Sequence, residues 1–101
     1  MKTENIEIIQ INISGEDKPG LTSSLTGILA CHDAFILDIG QSNIHRTMTL
    51  GILFMTTTER SGQIMKELLF KASEMNMTIR FEPITHEQYS AWVKRKKKNR
   101  Y

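Results

Sequence analysis

The chain has little of several features that would each define a class of protein. Its 101 residues include one cysteine, so no disulfide can form within the chain. No apolar run approaches the roughly 18 residues that a membrane-spanning helix requires. The first segment, MKTENIEIIQI, has glutamates among its isoleucines and no small-residue cleavage site, which is not the pattern of a secretory signal. We therefore expect a soluble protein in the reducing cytoplasm.

The sequence also lacks the common motifs of catalysis. It contains no G-x-S-x-G elbow, no G-x-x-x-x-G-K-[ST] phosphate loop and no paired cysteines. The densest group of potential metal ligands is Cys31, His32 and Asp33, whose side chains diverge by about 100° per residue at a helix end. Cys31 has no activating neighbour and is expected to be a small buried side chain. We expect no catalysis, metal or cofactor in this chain alone.

Charge is low overall but uneven along the chain. The formal net charge is +2, whereas basic residues are concentrated near the end: Lys94, Arg95, Lys96, Lys97, Lys98 and Arg100. No aromatic residues interleave this run, as a single-stranded nucleic acid site would require. A solvated helix end or linker is therefore favoured over contacts with phosphates or anionic lipid, and we expect neither nucleic acid nor membrane as a partner.

The sequence does contain a regular succession of strand and helix patterns. Strand patterns cover 6–14, 35–45, 48–56 and 77–83, and helical spacing of apolar residues begins at Leu21 and recurs over 61–75. This β-α-β-β-α-β order predicts an α+β, ferredoxin-like domain. We expect a four-stranded antiparallel sheet with both helices on one face and the other face exposed to solvent.

A third helix is predicted after this domain. Thr85, with Gln88 three residues on, has the spacing of a capping box. An apolar patch at helical spacing follows: Tyr89, Trp92 and Val93. We expect this helix to lie against the domain or against a neighbouring molecule. The predicted division is a domain over residues 1–84 and a carboxy-terminal helix with a basic linker over 85–101.

The turn between the first strand and the first helix, DKPG, combines charge, a fixed φ and a missing Cβ. Two interpretations stay open. In the first, Pro19 pre-sets φ and Gly20 relieves crowding, so the segment is good turn chemistry alone. In the second, the backbone N–H groups of Gly20, Leu21 and Thr22 face a small anion such as a carboxylate, with the positive end of the helix behind them.

Most of the chain resembles a known family. The segment NISGEDKPGLTSSLTGILACHDAFILDIGQSNIH is similar to the amino-terminal ACT domain of bacterial phosphoserine phosphatases, and the similarity continues through LGILF, LLFKA and FEPITHEQYSAWV. The resemblance implies a βαββαβ module that senses a small amino acid. In this family the ligand often lies at a dimer interface, where the first turn of one copy meets the second strand of another. A serine-like ligand and a homodimer through the edge strand follow as expectations.

The resemblance places the ligand contacts in two segments of this sequence. They are Asp17, Gly20, Leu21 and Thr22 in the turn, and Asp38, Ile39, Gly40 and Gln41 in the DIGQ segment of the second strand. Gly20 would let the carboxylate of the amino acid approach the helix. Asp17, or Asp38 from the partner copy, would meet its ammonium group. Pairing of the edge strands would hide the exposed apolar residues Ile36, Ile39 and Ile44.

The sequence departs from the family in one respect. Phosphoserine phosphatases carry their nucleophilic aspartate in a D-x-D-x-[TV] motif of a later domain, and no such motif occurs here. The resemblance therefore implies the regulatory domain of a phosphoserine phosphatase of L-serine biosynthesis, a haloacid-dehalogenase-type hydrolase whose catalytic domain would lie beyond residue 101. A free-standing ACT regulator and a dimerisation module without ligand stay open as alternatives.

Overall fold

The computed structural model of the protein describes residues 5–98, apart from the side chains of His86 and of residues 96–98. Its elements are β1 (Ile6–Glu16), α1 (Leu21–Cys31), β2 (Phe35–Ile44), β3 (Thr47–Thr57), α2 (Thr58–Glu74), β4 (Thr78–Ile84) and α3 (His86–Lys98). The strands form one antiparallel sheet in the order β2-β3-β1-β4. This arrangement confirms the predicted ferredoxin-like fold and leaves β2 at one edge of the sheet.

One face of the sheet packs against α1 and α2. Ile11 of β1 lies between Ile52 of β3 and Phe81 of β4, and both isoleucines are fully buried. Because side chains alternate along a strand, the buried set comes from every second residue. The core includes Ile9, Ile11, Ile13, Met48, Leu50, Ile52 and Phe54 of the sheet, with Leu21, Leu25, Leu29, Ile64, Leu68 and Ala72 of the helices. We call this side the helix face.

The opposite side of the sheet, the open face, carries the other residue of each alternating pair. Gln10 lies between Leu53 of β3 and Glu82 of β4 on this side. The prediction that this side would be exposed to solvent is wrong in part. Residues of α3 and of the open face line one groove together, and Ile8 on this face is 5% exposed.

The ends of several elements differ from the predicted ones for identifiable reasons. α2 begins at Thr58, earlier than predicted, and the N–H and Oγ1 of Thr58 donate to the carbonyl oxygen of Asn5 at 2.8 and 3.1 Å. Asn76 follows α2 with a φ of 58°, just after the predicted end of the helical pattern at residue 75. Met77, the first residue of the predicted fourth strand, is buried but precedes β4.

Cys31, at the end of α1, is exposed, so the expectation of a buried side chain is wrong. The buried stripe of α1 runs through Leu21, Leu25 and Leu29. Two residues beyond Leu29, a helical side chain has rotated by about 200° away from that stripe.

The predicted third helix is present as α3. The N–H of Thr85 donates to Gln88 Oε1 at 2.9 Å, and the N–H of Gln88 donates to Thr85 Oγ1 at 3.1 Å, so the capping box is confirmed. The rings of Tyr89 and Trp92 stack with their centroids 5.6 Å apart. The division at residue 84 stays a prediction, and part of the basic run, Arg100 and the side chains of residues 96–98, lies outside the described residues. No helix between residues 5 and 98 is long and apolar enough to cross a membrane.

Candidate functional site

The turn at residues 17–20 is tied to two distant parts of the chain. The N–H of Asp17 donates to the carbonyl oxygen of Arg46, between β2 and β3, at 2.9 Å. Lys18 Nζ donates to the carbonyl oxygen of Met75 at 2.7 Å. Met75 caps the end of α2, where carbonyl groups lack helical partners and the helix dipole favours a cation. These contacts hold the turn against both the sheet and α2.

Gly20 stands immediately before α1 in the left-handed conformation, with a φ of 81° and a ψ of 0°. A Cβ at this position would meet no atom within 4 Å. Relief of crowding is therefore the wrong explanation for this glycine, since the backbone conformation itself requires it. The N–H of Leu21 donates to the carbonyl oxygen of Lys18 at 3.4 Å. One of the three amides expected to face an anion is thus engaged within the turn.

Four polar side chains form a continuous hydrogen-bonded series from α1 across β2 to the turn. Thr22 Oγ1 donates to Gln41 Oε1 at 3.4 Å. Gln41 Nε2 donates to Asn43 Oδ1 at 3.0 Å, and Asn43 Nδ2 donates to Asp17 Oδ2 at 2.8 Å. We call Asp17, Thr22, Gln41 and Asn43 the turn-edge cluster. It brings together three predicted site residues, two from the turn and the start of α1 and one from β2.

Asn43 is the one member of the turn-edge cluster that is not among the predicted site residues. It follows Gln41 by two residues in β2, and side chains two apart in a strand lie on the same face. That periodicity was the available signal. The predicted site residue Leu21 has a different role, because its side chain is 1% exposed and belongs to the core.

The DIGQ segment divides between the two sides of the sheet. Ile39 and Gln41 pair with Ile52 and Leu50, so they lie on the helix face. Asp38 and Gly40 instead pair with open-face positions of β3. An irregularity in the register between Ile36 and Asp38 sets this alternation. Within one protomer, Asp38 and Gly40 are therefore on the side of the sheet away from the turn-edge cluster.

This fold and the sequence pattern agree with one family. The family model described as ACT domain matches residues 7–82. The chain belongs to the ACT domain family. ACT domains are regulatory modules that generally bind small amino acids and form dimers. No curated protein sequence matches this chain.

Solved structures that resemble this ACT domain share its fold at low sequence identity. A putative glycine cleavage system transcriptional repressor aligns with a TM-score of 0.75 at 14% identity, over 79% of this chain and 47% of that chain. A formyltetrahydrofolate deformylase from Burkholderia mallei aligns with a TM-score of 0.67 at 14% identity, over 74% of this chain and 27% of that one. An ACT domain protein from Streptococcus pneumoniae aligns with a TM-score of 0.65 at 21% identity, over 78% and 91%. This chain thus spans half or less of the repressor and the deformylase.

The edge strand β2 of the ACT domain is rich in exposed apolar side chains. Phe35, Ile39 and Ile44 are 61%, 43% and 73% exposed. Ile36, expected to be exposed with them, packs against the core instead. Its partner in β3 is the fully buried Phe54, which places Ile36 over the helix face. An edge strand with free backbone groups and exposed apolar residues is a ready template for pairing with another strand.

The outer surface of the ACT domain carries polar contacts within α2 and between α2 and the end of α1. Gln63 Nε2 donates to Glu67 Oε2 at 3.0 Å, and His32 Nε2 lies 3.1 Å from the same oxygen. The hydrogen bond from Gln63, and then that from His32, hold the pKa of Glu67 below its ordinary value. Nearby, Arg60 Nη1 and Asp33 Oδ2 form an ion pair at 3.3 Å. Among the side chains that the structure describes, no three from histidine, cysteine and acidic residues converge on a metal position.

Proposed function

We propose that this ACT domain senses a small amino acid, with serine the first candidate, at the interface of a homodimer. The turn-edge cluster of one copy would face the edge strand β2 of the second. The observation that carries the proposal is the cluster itself: a carboxylate, two amides and a hydroxyl lie in one hydrogen-bonded series beside the amino end of α1.

The chemistry of an amino acid suits both ends of this site. The carboxylate of Asp17 accepts one hydrogen bond from Asn43 and retains acceptor capacity for an ammonium group. The N–H groups of Gly20 and Thr22, at the positive end of α1, would receive the carboxylate of the ligand. Asp38 of the second copy would be the alternative partner of the ammonium group. A millimolar dissociation constant corresponds to about 4 kcal/mol, which a few charge-assisted hydrogen bonds can supply.

The finer proposal is that the parent protein is a phosphoserine phosphatase of L-serine biosynthesis, with its catalytic domain beyond residue 101. It is supported by the sequence resemblance of the turn and β2. The fold does not select this parent, because a putative glycine cleavage system repressor and a formyltetrahydrofolate deformylase share it. A free-standing regulator and a dimerisation module without ligand are the rivals. A D-x-D-x-[TV] motif downstream in the reading frame would support the phosphatase.

The dimer is tested by placing a charge on the exposed edge. Ile44→Lys puts an ammonium group on β2, and we expect the dimer dissociation constant to rise at least about tenfold because a charge replaces an apolar side chain that the pairing would bury. Leu69→Lys on α2, at a side chain 52% exposed, is the matched control and should leave association unchanged. Sedimentation equilibrium measures both. A wild-type chain that remains monomeric at high concentration would contradict the proposed dimer.

Ligand binding is tested by calorimetric titration with serine, followed by glycine, alanine and the other amino acids. Asp17→Asn retains the shape and the Asn43 contact but removes the charge, so we expect binding to weaken by about 1–3 kcal/mol. Glu16→Gln, at the exposed neighbouring residue, makes the same change in net charge and should bind as the wild type does. Absence of binding by every amino acid to a folded dimer would favour the dimerisation module.

A further inference from the structure

A groove separate from the turn-edge cluster lies between the open face of the sheet and α3. Its volume is about 590 Å³, within the range of small-molecule sites. The sheet contributes Gln10, Asp38, Gly40, Gly51 and Leu53, and α3 contributes Gln88, Tyr89, Ala91, Trp92 and Arg95. Positions 88, 92 and 95 lie on one side of a helix, so α3 presents a single side to the groove.

The floor of the groove is made where two glycines face each other across neighbouring strands. Gly40 of β2 pairs with Gly51 of β3, and both line the groove. Neither has the positive φ that would itself require glycine. A Cβ on Gly40 would meet no atom within 4 Å, so the space above it is open. Glycine inside a strand weakens it and is typical of positions where a ligand or another backbone approaches closely.

The wall opposite this floor is aromatic and ends in a positive charge. Tyr89 and Trp92 stack at 5.6 Å with their ring planes 28° apart. Arg95, one helical turn beyond Trp92, lines the same groove. A guanidinium group recognises carboxylates and phosphates through paired hydrogen bonds. Asp38 lies on the sheet side, and its Oδ1 accepts the N–H of Ile39 at 3.0 Å.

We propose that this groove is a second binding site, for a small molecule with a flat aromatic or heteroaromatic ring and an anionic group. The ring would lie over the glycine pair and against Tyr89 and Trp92, and the anionic group would meet Arg95. The site goes beyond the proposed amino-acid sensing. It uses the open face and α3, whereas the turn-edge cluster lies on the helix face and in the turn.

The test uses matched probes on the full chain and the single tryptophan as the reporter. Trp92 is the only tryptophan, so its indole N–H gives one assigned signal in an ¹H–¹⁵N spectrum. We expect naphthalene-2-carboxylate to shift this signal in a saturable way. The neutral naphthalene-2-carboxamide and the non-planar decahydronaphthalene-2-carboxylate should each bind at least about fivefold more weakly. Equal binding of the carboxamide or of 2-naphthylmethylammonium would overturn the requirement for an anionic group. Equal binding of the decahydro compound would overturn the requirement for a flat ring.

Two variants locate the probe. Arg95→Gln should weaken naphthalene-2-carboxylate at least about fivefold, whereas Lys94→Gln, the same charge change outside the groove lining, should not. Gly40→Val should fill the floor and abolish the shift, with Ser42→Val on the same face of β2 as its control. Retention of the thermal midpoint shows that a variant is folded. Wild-type affinity in folded Arg95→Gln and Gly40→Val would overturn the site.

The second site and the proposed amino-acid site are distinguishable. Asp17→Asn should weaken serine and leave naphthalene-2-carboxylate unaffected, because Asp17 lies on the other side of the sheet. Arg95→Gln should do the reverse. Loss of both ligands in either variant would overturn the separation of the two sites.

Discussion

The two sides of the sheet are built from the same strands and differ in nearly every physical respect. The helix face is a closed core in which Leu50 and Ile52 are 1% and 0% exposed. The open face carries Gln10, Asn12 and two facing glycines, and α3 contributes to a groove over it instead of sealing it. The contrast shows that side-chain packing closes one side of this ACT domain, whereas the other side keeps an open groove.

The same contrast changes the meaning of a short sequence segment. DIGQ was predicted as one group of ligand contacts, but its residues alternate between the two sides. Gln41 joins the turn-edge cluster, whereas Gly40 lines the groove with α3. A contiguous segment of a strand therefore contributes to two places at once.

The largest expected effect comes from making the same leucine-to-alanine substitution on each side of the sheet, within β3. Leu50→Ala on the helix face should lower the free energy of unfolding by about 2–5 kcal/mol, since it leaves a cavity in a closed core. Leu53→Ala on the open face should cost about 1 kcal/mol, because Leu53 is only half-buried. Urea unfolding at one protein concentration measures both. Equal losses would show that the two sides are packed alike.

A smaller effect on stability should distinguish Gly20 from Gly40, the two glycines predicted to contact the ligand. Gly20→Ala should destabilise the fold by about 1–2 kcal/mol, because an L-residue is strained at its φ of 81°. Gly40→Ala should be neutral or stabilising by up to about 1 kcal/mol, since its Cβ enters open space in a strand. Thermal unfolding of both variants gives the comparison. Wild-type stability in Gly20→Ala would contradict the claim that the left-handed conformation at this position requires glycine.

The smallest effect concerns pH and the outer surface above the helix face. Because its hydrogen bonds lower the folded pKa of Glu67, the stability they contribute is present above the glutamate pKa of the unfolded chain. That stability is lost as the pH falls through the lowered folded value. Glu67→Gln should flatten the dependence of the thermal midpoint on pH in this acidic window, and Gln63→Ala should flatten it partly. If the thermal midpoint of Glu67→Gln depends on pH as that of the wild type does, this contact does not contribute to stability in the acidic window.

The sequence predicted the fold because its patterns are strongly periodic. Alternation from Ile9 to Ile13 and helical spacing from Leu21 to Leu29 each follow one buried side, and the structure places them there. The capping box at Thr85 was predicted for the same reason, since it depends on residues only three apart. Local signals of this kind survive without knowledge of the neighbours in space.

The candidate site was predicted only in part, because it depends on register. The position of Gly40 opposite Gly51 follows from an irregularity after Ile36, for which the sequence carries no visible signal. Asn43 could have been found from its spacing to Gln41. The groove could not have been found from the sequence, because its lining depends on where α3 lies over the open face.

The position of β1 inside the sheet has a consequence for how the chain is made. β1 is synthesised before the other three strands, yet it pairs with β3 on one side and with β4, over Thr78–Ile84, on the other. The sheet is therefore unfinished until the last strand has left the ribosome, and contacts so distant in sequence form slowly. A nascent chain without β4 would present an isoleucine-rich strand with one unpaired side, and unpaired strand edges of this kind are prone to aggregate.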